Sequence, residues 1–397
     1  MRARQKLDEG PDTTARSLLF IHEVGYLEKP VFEMHEFPEI LAENGWDVRF
    51  VDFAEAPRKS RPPKRVCRVR SAPVRLHTVP SVGSGIVRRL IAVVTGTFFL
   101  LGLLLRHRPD VVVLYAVPTF GWQTVLLCKI LRIPVVYRAI DLSSDIRETS
   151  FRRLVERAEQ VVARNATIVC PNTNELGLHL SSAGATRVQR VFPGFDVSEL
   201  PPRTSREAPS VVFMGTLFPF AGLSSFIKNF VPVARESGEV TLRILGNGHE
   251  YENLARLIEE ENLHHLVQLV GFVPFDLLYG ELSKSDVAII PFEEQQLTHV
   301  ALPGKVPQYV RAGLPVVSTP LRGLQELLPQ GDGVTYAASG VDFVREVFRL
   351  LGDAETRNEL VRNGNDRLNR VATWDHSIQS FVEVLEIAIT EREGGTL

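Results

Sequence analysis

Cysteine is scarce in this chain, and acidic residues are missing altogether from one long stretch of it. Of 397 residues only three are cysteine, Cys67, Cys128 and Cys170. An odd, scattered set without metal-ligand spacing argues against a disulfide framework and for a reducing cytosol. No Asp-x-Asp pair sits at a strand end and the histidines are dispersed, with His22, His35 and His249 reading as loop or surface residues. No metal is therefore expected, and no cofactor. Residues 1–15 lack the apolar core of a signal peptide and are charged and polar, which predicts a disordered tail. Short-period repeats and low-complexity blocks are also missing. What remains is 44% hydrophobic and 23% charged, long enough for two globular domains. The formal net charge of −2 says little about partners; the distribution of charge says more.

Strand-like runs alternate with helix-like ones throughout, which predicts an α/β protein with parallel sheets covered on both faces. In the first half the strands read as Ser17 to Ile21, Asp47 to Val51, Asp110 to Leu114, Pro134 to Tyr137 and Thr167 to Cys170. The run from Val197 to Pro209 carries Pro201, Pro202 and Pro209 among polar residues and reads as an interdomain linker, set at 199–209. The pattern restarts with Ser210 to Met214, Thr241 to Leu245, Val267 to Val270, Val287 to Ile290 and Pro315 to Ser318. Two Rossmann-like domains facing each other across a cleft follow, at 16–198 and 210–372. A last helix, within 373–397, has apolar residues at helical spacing and either covers its own sheet or crosses back to the first domain.

The most informative segment is Pro291 to Pro320. A buried strand runs into the acidic, amide-rich loop Glu293-Glu294-Gln295-Gln296. A short helix carrying Lys305, Gln308 and Tyr309 follows, closed by Ala312-Gly313. Spacings of three and four put Lys305, Gln308 and Tyr309 on one helix face, just beyond the carboxyl end of a parallel strand, where open α/β sheets bind ligands. A cation and an amide beside helix-start N–H groups suit a diphosphate and its sugar; a surface lysine on an ordinary helix is the alternative. Glu294 and its neighbours suit ribose or sugar hydroxyls, or are a solvated loop. Gly246-Asn-Gly248 is half of a dinucleotide fingerprint, without the third glycine at its required spacing.

With the two-domain pattern, GKVPQYVRAGLPVV from Gly304 to Val317 resembles glycosyltransferases of the GT-B fold. The large retaining GT-B family carries two glutamates with seven residues between them, the second just before A-G-x-P-V-V; here those places hold Val300 and Gln308. A narrower set of segments resembles the inverting glucuronosyltransferase family of xanthan assembly: Tyr137-Arg-Ala-Ile-Asp141, Gly215-Thr-Leu-Phe218, Ile290-Pro-Phe292 with its Glu/Gln tail, and Lys305-x-x-Gln308-Tyr309. That resemblance implies that Asp141 is the base and that Lys305 and Gln308 contact the nucleotide-sugar; Tyr309 on the same helix face, the Gly215-Thr216 turn and Glu294 are read from their positions as further donor-binding residues. The resemblance also implies UDP-glucuronate as the donor. Asp141 follows an apolar strand, at the rim of the expected cleft. One carboxylate suffices to take the acceptor's proton in an inverting transfer; capping a helix over Leu142 to Asp145 is the other reading. Arg138 reads as a cation that keeps Asp141 ionised, or as a plain surface charge.

Between Glu55 and Asp110 there is no acidic residue, while Arg58, Lys59, Arg61, Lys64, Arg65, Arg68, Arg70 and Arg75 are all basic. Leu90 to Leu105 is uncharged and as a helix reaches about 24 Å, short of the roughly 30 Å hydrocarbon core. It reads as a sheet-packing helix, or as a monotopic contact beside a basic loop. Arg58, Lys59, Arg61, Lys64 and Arg65 suit an anionic membrane surface. Aromatic interleaving is lacking, so no nucleic acid is expected. The reading is a cytoplasmic glycosyltransferase, peripheral at the inner face of the cell membrane, that moves a sugar from a nucleotide donor to a lipid-linked saccharide. A retaining hexosyl- or mannosyltransferase, and a catalytically silent GT-B binding protein, are the alternatives.

Overall fold

The computed structural model describes residues 15–29, 31–57, 62–115, 117–142, 152–195, 208–238 and 240–394. The first sheet contains β1 (Ser17–Ile21), β2 (Asp47–Asp52), β3 (Lys64–Val66), β4 (Val74–Thr78), β5 (Val111–Leu114), β6 (Val135–Ala139) and β7 (Ile168–Pro171). Their order across the sheet is β3-β4-β2-β1-β5-β6-β7, and β3 alone among them runs antiparallel. The second sheet contains β8 (Ser210–Met214), β9 (Thr241–Leu245), β10 (Val267–Gly271), β11 (Val287–Ile290), β12 (Val316–Ser318) and β13 (Val334–Tyr336). It is parallel throughout, in the order β10-β9-β8-β11-β12-β13. Parallel pairing forces helical crossovers onto both faces, so the strands are buried apolar runs rather than alternating ones. The two Rossmann-like sheets face each other across a cleft, as expected from the sequence.

Three strands escaped the sequence reading. β13 has only three residues, while β3 and β4 lie inside the basic stretch that reads as a loop. β4 does carry a strand signal, since Val74 and Leu76 turn into the core while Arg75 and His77 turn to the other face. The basic residues are also less free than they looked. Arg70 pairs with Glu36 at 2.7 Å and Arg75 with Asp47 at 3.3 Å. Arg68 donates to the Tyr26 and Lys29 carbonyls at 3.0 and 2.5 Å. Lys64 and Arg65 are exposed on β3, whereas Arg58, Lys59 and Arg61 lie outside the described residues.

The uncharged run forms the middle of a longer helix, Gly85–His107, whose 23 residues rise about 34 Å. Among the described residues it alone is long and apolar enough to cross a membrane by length and composition. Its inner face, with Ala92, Leu100, Leu103 and Leu104, is nevertheless part of the first domain's core. Arg88 is buried on that face and donates to Ser81 Oγ and to the Ala54, Glu55 and Ala56 carbonyls. The helix therefore packs on the sheet and leaves Ile86, Leu90, Val94, Phe98 and Leu105 exposed on its outer face.

The helix Trp374–Glu393, capped by Thr373 Oγ1 accepting from the His376 N–H, lies against the other face of the first sheet. Its Ile378, Phe381, Val384 and Leu385 share a core with Leu18, Phe20 and Val136.

Candidate functional site

Loops at the carboxyl ends of β8, β9 and β11 build one wall of the cleft by close backbone approach. Gly215, directly after β8, has φ +132°, and a Cβ there would collide with Lys305 Nζ. Gly246, after β9, has φ +146°, and a Cβ there would collide with the Gly215 carbonyl. A Cβ on Gly248 would meet Leu217 N at 2.5 Å. The Gly-Asn-Gly segment thus lets two loops touch, with the Leu217 N–H donating to the Asn247 carbonyl at 3.0 Å. That packing accounts for its glycines without a dinucleotide.

Lys305 begins the short helix Lys305–Arg311. Its Nζ lies 4.5 Å from the Phe213 ring centroid and 5.1 Å from that of Phe292. Both rings present their π systems to the ammonium, and no described residue gives it a carboxylate partner. Burial among these groups lowers its pKa from the usual lysine value to about 7. An ammonium in this setting is poorly solvated and unneutralised, a state that an arriving anion relieves. Phe213 and Phe292 were not anticipated; their signal was two aromatics at the ends of neighbouring strands.

The structure divides the three residues expected to share a face. Lys305 and Gln308 are partly exposed, and the Gln308 amide makes no hydrogen bond with a described residue. Tyr309, in contrast, is fully buried, with its hydroxyl accepting the Met214 N–H at 2.5 Å. It fixes the helix to the end of β8 and has no surface left for a donor, which corrects the expectation of direct contact. The helix start is also less generous in free N–H groups than expected. Val306 N–H is used by the Pro303 carbonyl at 2.9 Å, and Pro307 has none. Most of the positive charge therefore comes from Lys305 itself. Thr216 is exposed beside Gly215, and Glu294 is exposed on the loop after β11. That loop is braced by Thr298 Oγ1, which donates to the Glu293 carbonyl at 2.6 Å. Val300, at a place where the large retaining family carries a glutamate, is fully buried in the first domain's core.

Across the cleft, Asp141 follows β6 after one intervening residue. The residue keeps part of its surface in solvent, while desolvation of its carboxyl by the surrounding protein raises the pKa from 3.8 to about 7. It makes no hydrogen bond or ion pair with a described residue, and the segment it was expected to cap lies largely outside the described residues. Arg138 neither assists it nor reaches the surface. The guanidinium is fully buried and holds Glu33 in a two-pronged pair, Nε to Oε1 at 2.7 Å and Nη2 to Oε2 at 2.6 Å. Tyr115 donates to the same carboxylate at 2.9 Å. Alternation along β6 turns Arg138 to the opposite sheet face from Tyr137, so the motif's arginine is a core tie. His35 is likewise buried rather than a surface residue, bonded to the Tyr26 carbonyl at 2.7 Å.

The walls are held together where the helix Asn174–Ser182 of the first domain meets the second. Thr173 Oγ1 donates to the Val300 carbonyl at 2.8 Å. The Glu326 carboxylate accepts the Asn174 and Glu175 N–H groups at 2.7 and 3.0 Å, capping the helix start from across the interface. Among the described residues no three His, Cys, Asp or Glu side chains converge as metal ligands do.

Comparison with known proteins matches each half to a glycosyltransferase family model. "Glycosyl transferase 4-like domain" covers residues 34–194 and "Glycosyl transferases group 1" covers residues 208–353. Each domain thus matches a glycosyltransferase model, and the two together have the GT-B fold. Sucrose-phosphate synthase from Thermosynechococcus elongatus shares that fold, with TM-score 0.76 at 14% identity over 94% of this chain and 99% of that one. So does Anabaena HepE in complex with UDP-glucose, with TM-score 0.70 at 16% identity over 93% and 99%. In sequence, an uncharacterized glycosyltransferase of Methanocaldococcus jannaschii is 28% identical over 181 residues, 45% of each chain. The GPI3 subunit of phosphatidylinositol N-acetylglucosaminyltransferase from Saccharomyces cerevisiae is 24% identical over 184 residues, 46% of this chain and 39% of the relative. The match thus spans less than half the length of these curated relatives. No match to a xanthan-type glucuronosyltransferase was found.

Proposed function

We propose that this GT-B protein transfers a sugar from a UDP-linked donor to a lipid-linked saccharide, with inversion at the anomeric carbon. The observation that carries the reading is the unneutralised Lys305 ammonium between Phe213 and Phe292, facing a cleft whose other wall carries Asp141. The donor-binding group is Lys305, Gln308, Thr216 and Glu294 around the Gly215 turn, with Tyr309 as the residue that positions the lysine's helix. The first domain, 16–198, binds the acceptor and the second, 210–372, binds the donor; the terminal helix, within 373–397, braces the first.

The chemistry follows from those positions. The Asp141 carboxylate removes the acceptor hydroxyl's proton as that oxygen bonds to the anomeric carbon. The bond from that carbon to the diphosphate breaks, its electron pair leaves with the nucleotide, and Lys305 faces the charge that develops there. A carboxyl with pKa about 7 is well matched to a base working near neutrality. UDP is supported by the UDP and UDP-glucose complexes of Anabaena HepE, and a lipid acceptor by the phosphatidylinositol in the yeast relative's name. Glucuronate rests on the motif resemblance alone. The proposed location is the inner face of the cell membrane, through an anionic membrane contact that the exposed basic residues of β3 and the apolar outer face of Gly85–His107 support.

The test is turnover and binding of UDP-sugars by wild type and Asp141→Asn. The variant keeps donor affinity and loses about 10²- to 10⁴-fold in kcat. Normal activity in Asp141→Asn overturns the base assignment. A product that retains the donor's configuration favours the retaining alternative, and tight binding without nucleotide release favours a silent binding protein.

A further inference from the structure

At the end of the first sheet away from the cleft, strand register assembles arginines that the sequence scatters. Arg65 of β3 lies directly across from Arg75 of β4, and Arg75 in turn lies beside Arg49 of β2. Side chains paired across neighbouring strands share a sheet face, so three arginines form a row. The face is the one covered by the helix Gly85–His107, since Val51, two residues along from Arg49, packs in the same core as Leu100 and Leu104. The end of that helix brings Arg106 and His107 to the row, with the His107 ring 6.1 Å from that of His77. Desolvation, together with Arg49, Arg106 and Arg75 and against Asp47, lowers the His107 pKa below the usual histidine value, so the charge at this helix end is that of Arg106.

The row is short of acceptors. Arg49 and Arg75 share one carboxylate, Asp47, at 2.6 and 3.3 Å. Arg49 is only 8% exposed, and its Nε has no hydrogen-bond partner among the described residues. Asp110, the carboxylate before β5, is committed to the Ser17 N–H at 2.8 Å. Like charges across a strand pair oppose folding, and lysine or arginine on an edge strand is commonly a guard against edge-to-edge pairing. Guarding accounts for Lys64 and Arg65 but not for a row that runs inward to a buried arginine. Arginine forks match phosphate oxygens in geometry and charge.

We infer that Arg65 and Arg75, backed by the buried Arg49 and with Arg106 beside them, form a binding site for the phosphate of an anionic lipid headgroup. The adjoining surface identifies the source of the phosphate. Leu90, Val94, Phe98 and Leu105 expose 60, 58, 70 and 51% of their surface on the outer face of the same helix, whose last residues enter the basic group. An apolar stripe ending in cations is suited to acyl chains below a phosphate layer. The inference rests on the membrane-peripheral reading and sharpens it, since it assigns contact to one sheet face and to residues outside the cleft.

The experiment measures partitioning of the full chain onto phosphatidylcholine vesicles with and without phosphatidic acid. Arg65→Gln/Arg75→Gln lowers partitioning about 30-fold, roughly fivefold for each cation at an anionic surface. Lys228→Gln is the control, because it removes the same charge from an exposed position of the second domain, away from both the row and the basic strand β3; its loss stays below about threefold. Equal losses for Lys228→Gln and Arg65→Gln mean diffuse attraction and overturn the site while leaving the membrane reading. Absence of wild-type binding to phosphatidic acid vesicles overturns both. Binding of inorganic phosphate that is lost in the double variant, with no vesicle retention, reassigns the row to a soluble anion and overturns the headgroup.

Discussion

Lys305 offers a test of the donor site that reads protons directly. Its pKa near 7 reflects burial without a carboxylate partner. A nucleotide diphosphate placed against it favours the charged form and raises the pKa, so binding is strongest below pH 7 and weakens as pH rises through the free lysine's pKa. A UDP-sugar suits the measurement because its diphosphate is a diester with no titration near neutrality. If the lysine stays protonated in the complex, affinity falls about 30-fold between about pH 6 and pH 8.5. Near pH 8, binding then takes up about 0.9 proton. Isothermal titration with UDP-glucose in two buffers of different ionisation enthalpy measures both quantities. Lys305→Arg keeps a permanent charge and flattens the profile, even if the larger fork binds less tightly. Lys305→Ala at about pH 6 loses roughly 10- to 150-fold, the scale of a charged hydrogen bond. A flat wild-type profile with no proton uptake, or an arginine variant that falls as steeply as wild type, refutes the reasoning.

Gly215→Ala forces a side chain into a left-handed backbone position and into Lys305 Nζ, so donor affinity falls while the core of the second sheet is undisturbed; titration with UDP-glucose and urea unfolding separate the two effects, and unchanged affinity counts against the geometry. Arg138→Met leaves the Glu33 carboxylate buried without its cation and costs about 3–5 kcal/mol of stability in urea unfolding. Because Arg138 faces away from the cleft, the residual enzyme keeps the wild-type pH dependence of kcat. A small stability loss with a displaced pH profile would show that Arg138 acts on Asp141 after all.

Much of the fold was readable along the chain, because parallel strands buried on both faces need continuous apolar runs. Val111 to Leu114 and Val287 to Ile290 declare themselves that way. The short β13 and the charged edge strand β3 do not, since neither can hold a run long or apolar enough to notice. In the candidate site, strand ends were enough to locate Asp141 and Lys305 near the rim of the cleft. They were not enough to predict what surrounds them. The reversal of Arg138 depended on Glu33, a partner 105 positions away in the chain. The inward turn of Tyr309 depended on Met214, 95 positions away.

The amino-acid sequence by itself determined which segments become strands and which residue types stand at their ends, because burial and strand termination are local consequences of composition. Tertiary structure alone decided which charges are free. It neutralised Arg138, Arg70 and most of Arg49, left Lys305 without a carboxylate among the described residues, and aligned Arg65 with Arg75. Whether a cation has a partner depends on which distant elements pack beside it, and no reading of its neighbours in the chain supplies that.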